Sequence, residues 1–126
     1  MIHYRPTRDS IADAVSKQYP TGALKYLREH PAPGRLLNTY GYGGYLVQAG
    51  IPTFIDGRGD IFERGGVFGD YIHLTQFKPG AFGILRNYDI SVCLLDRDEP
   101  LSTALLESPK WQRVYLDATS AVYLRR

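Results

Sequence analysis

Ser91-Val-Cys-Leu-Leu95, ending in Asp96 and followed after a short polar break by Pro100-Leu-Ser-Thr-Ala-Leu-Leu-Glu107, decides the fold class. An unbroken apolar run without polar alternation is what a strand covered on both faces requires. The proline then stands where a helix begins, and the apolar residues behind it recur at helical spacing. A doubly covered strand feeding a helix points to helices layered on a sheet. Inside that run Cys93, the chain's one cysteine, predicts a buried and inert thiol.

Downstream, Trp111 to Asp117 and Ala121 to Leu124 alternate across a short turn and predict a closing antiparallel hairpin with Trp111 as a core anchor. Upstream, Val67, Tyr71 and Leu74, then Phe82 and Leu85, predict two short helices broken around Lys78-Pro79-Gly80. Thr53-Phe-Ile-Asp56 predicts a short strand that turns at Gly57-Arg-Gly-Asp60. Arg35-Leu-Leu-Asn-Thr-Tyr40 predicts another, and Gly41-Tyr-Gly-Gly-Tyr-Leu-Val-Gln-Ala-Gly50 a glycine turn opening a helix that stops at Gly50. Pro20 to His30 reads as a helix with Ala23, Leu24 and Leu27 on one face, ended by Pro31 and Pro33, while Ser10-Ile-Ala-Asp13 has the form of a capping box. Strands alternating with helical crossovers predict one small three-layer α/β domain over residues 1–126, with a mostly parallel sheet and a C-terminal antiparallel hairpin.

Composition narrows the function. With 126 residues, 44% of them hydrophobic, the chain can bury a core without disulfides or a structural metal. Fifteen basic residues against thirteen acidic give a net charge of +2, and the basic ones are scattered, which excludes the dense stripe that nucleic-acid binding needs. No stretch reaches the roughly 18 consecutive apolar residues of a membrane span, and the start lacks a signal-peptide core. The chain therefore reads as soluble by itself.

Eleven of the thirteen glycines fall between Gly41 and Gly83, so the middle third is where the backbone can approach a ligand closely. Tyr40, Tyr42 and Tyr45 surround Gly41, Gly43 and Gly44, an arrangement in which backbone N–H groups at a helix start meet an anion while aromatic faces stack on a sugar or base. The spacing is neither GxGxxG nor a P-loop, and tight helix packing explains the same glycines. Asp56 stands at an expected strand C-terminus with Arg58 beside it, the place where open α/β sheets present ligand-binding groups; a turn cap with its neutralising partner is the plainer explanation. Asp70 and His73 share a helix face at i and i+3, but no second histidine lies at metal spacing. A serine hydrolase lacks its G-x-S-x-G, and a Cys93–His73 pair lacks an activated thiol. These residues call for no catalytic set, cofactor or metal.

Taken in order, Tyr19-Pro-Thr-Gly-Ala-Leu-Lys-Tyr-Leu-Arg28, Leu37-Asn-Thr-Tyr-Gly-Tyr-Gly-Gly-Tyr-Leu46, Phe54-Ile-Asp-Gly-Arg58 and Trp111-Gln-Arg-Val-Tyr115 resemble the C-terminal soluble region of bacterial multi-spanning membrane proteins of the lipid-sugar-dependent glycosyltransferase type. The similarity runs from Tyr19 to Arg126. It implies that the catalytic carboxylate belongs to loops of a membrane half outside this chain, that residues 1–18 lead in from a membrane span of the parent chain, with Met1 not the natural start, and that the domain lies on the extracytoplasmic face of the bacterial cytoplasmic membrane. The turn at Tyr40 to Tyr45 also bears a more distant likeness to the aromatic-aspartate-tyrosine-glycine acceptor motif of oligosaccharyltransferase catalytic subunits. It departs from that motif: Thr39-Tyr40-Gly41 stands where paired tryptophans and an aspartate would be.

Three functions follow as expectations. The first is a non-catalytic accessory domain that works with the membrane-embedded part of its parent chain to hold a glycan or lipid-linked sugar acceptor, through Tyr40, Tyr42, Gly43, Gly44, Tyr45, Asp56 and Arg58. The second is a small stand-alone, metal-assisted hydrolase or transferase on a sugar phosphate, with Asp56 and Asp96 converging at adjacent strand ends. The third is a purely structural or dimerising module.

Overall fold

The computed structural model describes residues 20–31, 33–54 and 67–126. The lead-in over 1–18, with its capping-box motif, lies outside them.

Helix α1 spans Thr21–Glu29, with Pro20 one position before it and the Leu24 N–H bonded to the Pro20 carbonyl at 2.8 Å. Its buried residues are the predicted face, Ala23, Leu24 and Leu27. Strand β1, Arg35–Asn38, follows, then a single 3-10 turn over Tyr40–Tyr42 that runs into α2, Gly43–Gln48. Gly50, at φ 74°, supplies the left-handed residue that ends α2. Helices α3, Val67–Thr75, and α4, Ala81–Asn87, are separated at Lys78-Pro79-Gly80 as the sequence predicts. Strand β2 is Ile90–Asp96, α5 is Pro100–Glu107, and the hairpin is β3, Trp111–Leu116, with β4, Ser120–Arg125.

The four strands form one sheet in the order β1-β2-β4-β3. Alternation along the strands sends side chains to two cores. Leu37, Cys93, Leu95, Ala121 and Tyr123 pack with residues of α3, α4 and α5 on one face, joined by Phe54 and Trp111. Leu36, Val92, Leu94 and Val122 pack with α1, Tyr42 and Leu46 on the other. The three-layer α/β architecture, the closing hairpin, buried Cys93 and anchoring Trp111 are all present.

The expected mostly parallel sheet is corrected to a mixed one: β1 pairs with β2 in parallel, whereas β2–β4 and β3–β4 are antiparallel. Two physical causes account for this. The hairpin inserts β4 between β3 and β2, so it contributes two of the ladders. Thr53 and Phe54, the first half of an expected strand, are not in the sheet; the Phe54 N–H, which a ladder would need, donates instead to Asn38 Oδ1 at 2.7 Å. The doubly buried run of β2 thus reflects helices on both faces and not parallel neighbours on both sides.

Candidate functional site

The parallel pair β1 and β2 ends at one edge of the sheet, and the polar groups that follow each strand meet there. Thr39 extends β1 by donating its N–H to the Leu94 carbonyl at 2.9 Å. Its hydroxyl accepts from the Asp96 N–H at 2.9 Å and donates to Glu99 Oε1 at 2.6 Å, tying both strand ends to the start of α5. Asp96 Oδ1 accepts from the Asp98 N–H at 2.8 Å, which closes the turn into that helix. Below them Asn38, fully buried, donates to the Thr39 carbonyl and accepts from Phe54.

The tyrosine turn crosses this edge. The Tyr40 N–H donates to the Tyr71 hydroxyl at 2.7 Å, and the two rings sit 6.4 Å apart at 53°. Tyr40 is half-buried against the α3–α5 side, while Tyr42 and Tyr45 belong to the α1 side. Gly43 is buried and Gly44 exposed. Tyr42 is 5% exposed, and its hydroxyl is buried with no hydrogen-bond partner; Glu99 Oε2 is in the same condition.

The electrostatics follow from that burial. Desolvation pushes the Glu99 carboxyl up to about 7, with the Asp96 charge adding and the Thr39 hydrogen bond opposing. Tyr42 is raised by burial first and then by the charges of Asp96, Glu99 and Asp117. Tyr71 is pushed up to about 12 by burial, against the Tyr40 N–H it accepts. Asp117 caps the hairpin turn by accepting from the N–H groups of Thr119 and Ser120 and from the Tyr115 and Ser120 hydroxyls. Burial works to raise its pKa, and these hydrogen bonds together overcome it and hold the carboxyl below its ordinary range. The edge is therefore acidic and aromatic, with one carboxyl that titrates near neutrality and two buried oxygens whose hydrogen-bonding capacity is unspent.

Of the residues singled out in the sequence, Tyr40, Tyr42, Gly43, Gly44 and Tyr45 form one continuous turn at this edge, and Asp96 reaches it on β2. Asp56 and Arg58 lie outside the described residues. Asp70 Oδ2 accepts from the Tyr88 hydroxyl at 2.6 Å, and His73 Nε2 lies 2.6 Å from the Pro79 carbonyl, so both are spent on joining α3 to its neighbours. Among the described residues no cluster of three or more His, Cys, Asp or Glu is placed to hold a metal. Sequence reading missed Glu99, Tyr71 and Asp117. Glu99 had a signal in Asp96-Arg-Asp-Glu-Pro100, where an acid just before a helix-starting proline follows a strand end. Tyr71 had none, because its role depends on where α3 crosses the edge. Cavities of about 540, 430 and 420 Å³ occur elsewhere on the molecule, none of the three lined by the tyrosine turn.

No family model and no curated protein matches the chain. Among solved structures it is similar to the C-terminal globular domain of an oligosaccharyltransferase from Archaeoglobus fulgidus, with a TM-score of 0.61 over 98% of this chain and 100% of that one, at 10% sequence identity. At that identity the likeness is one of fold: the chain shares the α/β architecture of a globular domain belonging to a glycan-transferring enzyme, and among the described residues no helix is long and apolar enough to cross a membrane.

Proposed function

We propose that this chain is a non-catalytic accessory domain of a bacterial membrane glycosyltransferase-like protein, carried on the extracytoplasmic face, and that the tyrosine edge positions a glycan or lipid-linked sugar acceptor for the membrane-embedded part of the parent chain. The observation that carries the reading is the pair of buried, unpartnered oxygens, Tyr42 Oη and Glu99 Oε2, at an edge that also presents aromatic side chains. Buried polar atoms are normally satisfied, and two unsatisfied ones at one strand-end edge are what a site awaiting hydroxyl groups leaves behind. Sugar hydroxyls both donate and accept, which suits a carboxyl near its midpoint and a phenol, while aromatic faces such as Tyr40 and Tyr45 suit the apolar side of a sugar ring. The fold likeness supports the same reading.

A backbone amide titration with a soluble oligosaccharide tests it. Shifts are expected at Thr39, Glu99 and Gly41 to Tyr45. Tyr42→Phe sharpens the result, because removing an unpartnered buried hydroxyl leaves stability unchanged or raises it by up to about 1 kcal/mol, whereas a ligand-binding hydroxyl takes affinity with it. Amides that stay still at high oligosaccharide, or a Tyr42→Phe protein that binds as before, would sink the proposal and leave the structural or dimerising module standing.

A second reading draws on Glu99. A carboxyl pushed up to about 7 beside a second carboxylate is the combination used in acid-base hydrolysis, with Glu99 in the part expected of Asp56 beside Asp96. It requires release of phosphate or sugar from an aryl substrate, with or without divalent ions, and loss of that release in Glu99→Gln.

A further inference from the structure

At the opposite end of β2, about 20 Å from the tyrosine edge by strand rise, the start of β3 and the end of β4 enclose the cavity of about 540 Å³. Its apolar wall is Phe82 and Leu85 of α4 with Ile90 and Trp111. The charged side chains that line it are all basic: Arg86, Lys110, Arg125 and Arg126. Arg125 is paired with exposed Asp89 at 3.2 Å. Among the described residues no carboxylate side chain lies within ion-pairing distance of Arg86, Lys110 or Arg126. Arg126 is nonetheless held in place, its N–H donating to the Lys110 carbonyl at 2.8 Å and its Nε to the Trp111 carbonyl at 3.3 Å.

Four cationic side chains gathered around one apolar hollow, in a chain whose net charge is only +2, repel one another, and among the described residues no carboxylate side chain pairs with three of them. Guanidinium groups match the oxygens of phosphate or carboxylate in fork geometry. The apolar wall continues as well. Phe82, Ser108 and Pro109 also line the neighbouring cavity of about 430 Å³, which reaches Phe77, and the Phe77 and Phe82 rings meet edge to face at 5.4 Å. Glu107 lines that far end, so an anionic head is attracted to one end of the groove and repelled from the other.

We propose that this groove binds a single amphiphilic anion, a phosphate or carboxylate head on an apolar body, with the head among Arg86, Lys110 and Arg126 and the body along Trp111 and Phe82. The charge pattern fixes both the class of ligand and its direction. The proposal is independent of the tyrosine edge and survives or fails without it.

Trp111 is the only tryptophan in the chain, so its fluorescence reads the cavity directly. The full 126-residue chain is titrated with n-octyl phosphate below its micelle concentration, and in parallel with n-octyl glucoside and inorganic phosphate. The expected result is a saturable change in Trp111 emission with octyl phosphate, at least about tenfold tighter than with either control and weakened by salt. The double variant Arg86→Glu, Lys110→Glu should weaken binding by a further factor of about ten. Both side chains are exposed, so the fold tolerates the change, and Lys25→Glu, Arg113→Glu, which reverses two exposed cations that do not line the groove, matches its change in net charge. Octyl glucoside binding as tightly as octyl phosphate, a charge-reversed protein that binds unchanged, or an emission spectrum that never moves would each overturn the proposal. The amides of Gly41 to Tyr45 are expected to stay still throughout, which separates this result from that of the oligosaccharide titration.

Discussion

Glu99 shows how a single residue ties fold to site. Its Oε1 accepts from Thr39 while its Oε2 is buried without a partner, so the ionised form is costly and the carboxyl is held at about 7 against an ordinary 4.5. The folded state binds the Glu99 proton more tightly than the unfolded chain does. Its contribution to stability is therefore complete below about pH 4.5 and is lost as pH rises through about 7. Two and a half pH units correspond to about 3 kcal/mol at most, and partial exposure brings the expectation to the order of 2 kcal/mol. Asp117 acts in the opposite sense, since its lowered pKa removes stability as the solution turns acid. The informative quantity is thus the difference between wild type and Glu99→Gln. Urea midpoints for that pair should diverge between about pH 4.5 and 7, the wild type losing stability while the variant holds level. Parallel curves across that window would show that water reaches Glu99 more freely than its burial implies.

Between elements, α1 comes close against β3 at Gly22. A Cβ at Gly22 would overlap the Tyr115 hydroxyl and come to 3.0 Å from its Cζ, and that hydroxyl donates to Asp117 Oδ2 at 2.8 Å. Gly22 is the second residue of α1, where alanine gains less than the up to about 1 kcal/mol it has over glycine in a helix interior, and here it must push the tip of the Tyr115 side chain aside, which costs about 1–3 kcal/mol. Gly22→Ala is therefore expected to lower stability by about 1 kcal/mol. In a Tyr115→Ala background the same change should become neutral or favourable, giving a coupling of at least about 1 kcal/mol in a double-mutant cycle. Denaturation of the four proteins provides the measurement, and additive effects would refute the contact. Such contacts mark the limit of what a sequence shows. Helix α5 was legible to the residue because Pro100 and the spacing of Leu101 and Leu105 are local signals. Strand β2 was legible because its apolar run is continuous, and α3 and α4 because Pro79-Gly80 separates them. The direction of β4 beside β2 was not, since the antiparallel ladder depends on which edge the hairpin folds against and no residue in Ser120 to Arg125 encodes that. The same distinction divides the site. Tyr40 to Tyr45 announced themselves by glycine and aromatic clustering, whereas the Thr39–Glu99 bond joins residues 60 positions apart in sequence.

For the whole molecule, β2 is the element that makes two hydrophobic cores into one cooperative unit. Val92 and Leu94 belong to the core under α1 and α2, while Cys93 and Leu95 belong to the core under α3, α4 and α5. Hydrogen bonds to β1 on one side and β4 on the other leave neither edge of the strand free. Cys93 sits at the centre of that arrangement with no exposed surface, and burial, with a smaller contribution from the Glu99 charge, raises its thiol well above the ordinary range. Fraying of an edge strand such as β3 does not expose it, and lifting one helix strips half of a core that the rest of the sheet shares. The route to the thiol is therefore global unfolding, and labelling by a thiol reagent measures the stability of the whole domain. Under native conditions at neutral pH the rate should fall by a factor of about 10³ or more relative to the denatured chain. It should rise with added urea along the slope of the global unfolding transition. If it instead proves independent of urea, the helical layer over Cys93 opens by itself, and the two faces of the sheet are separate units of stability.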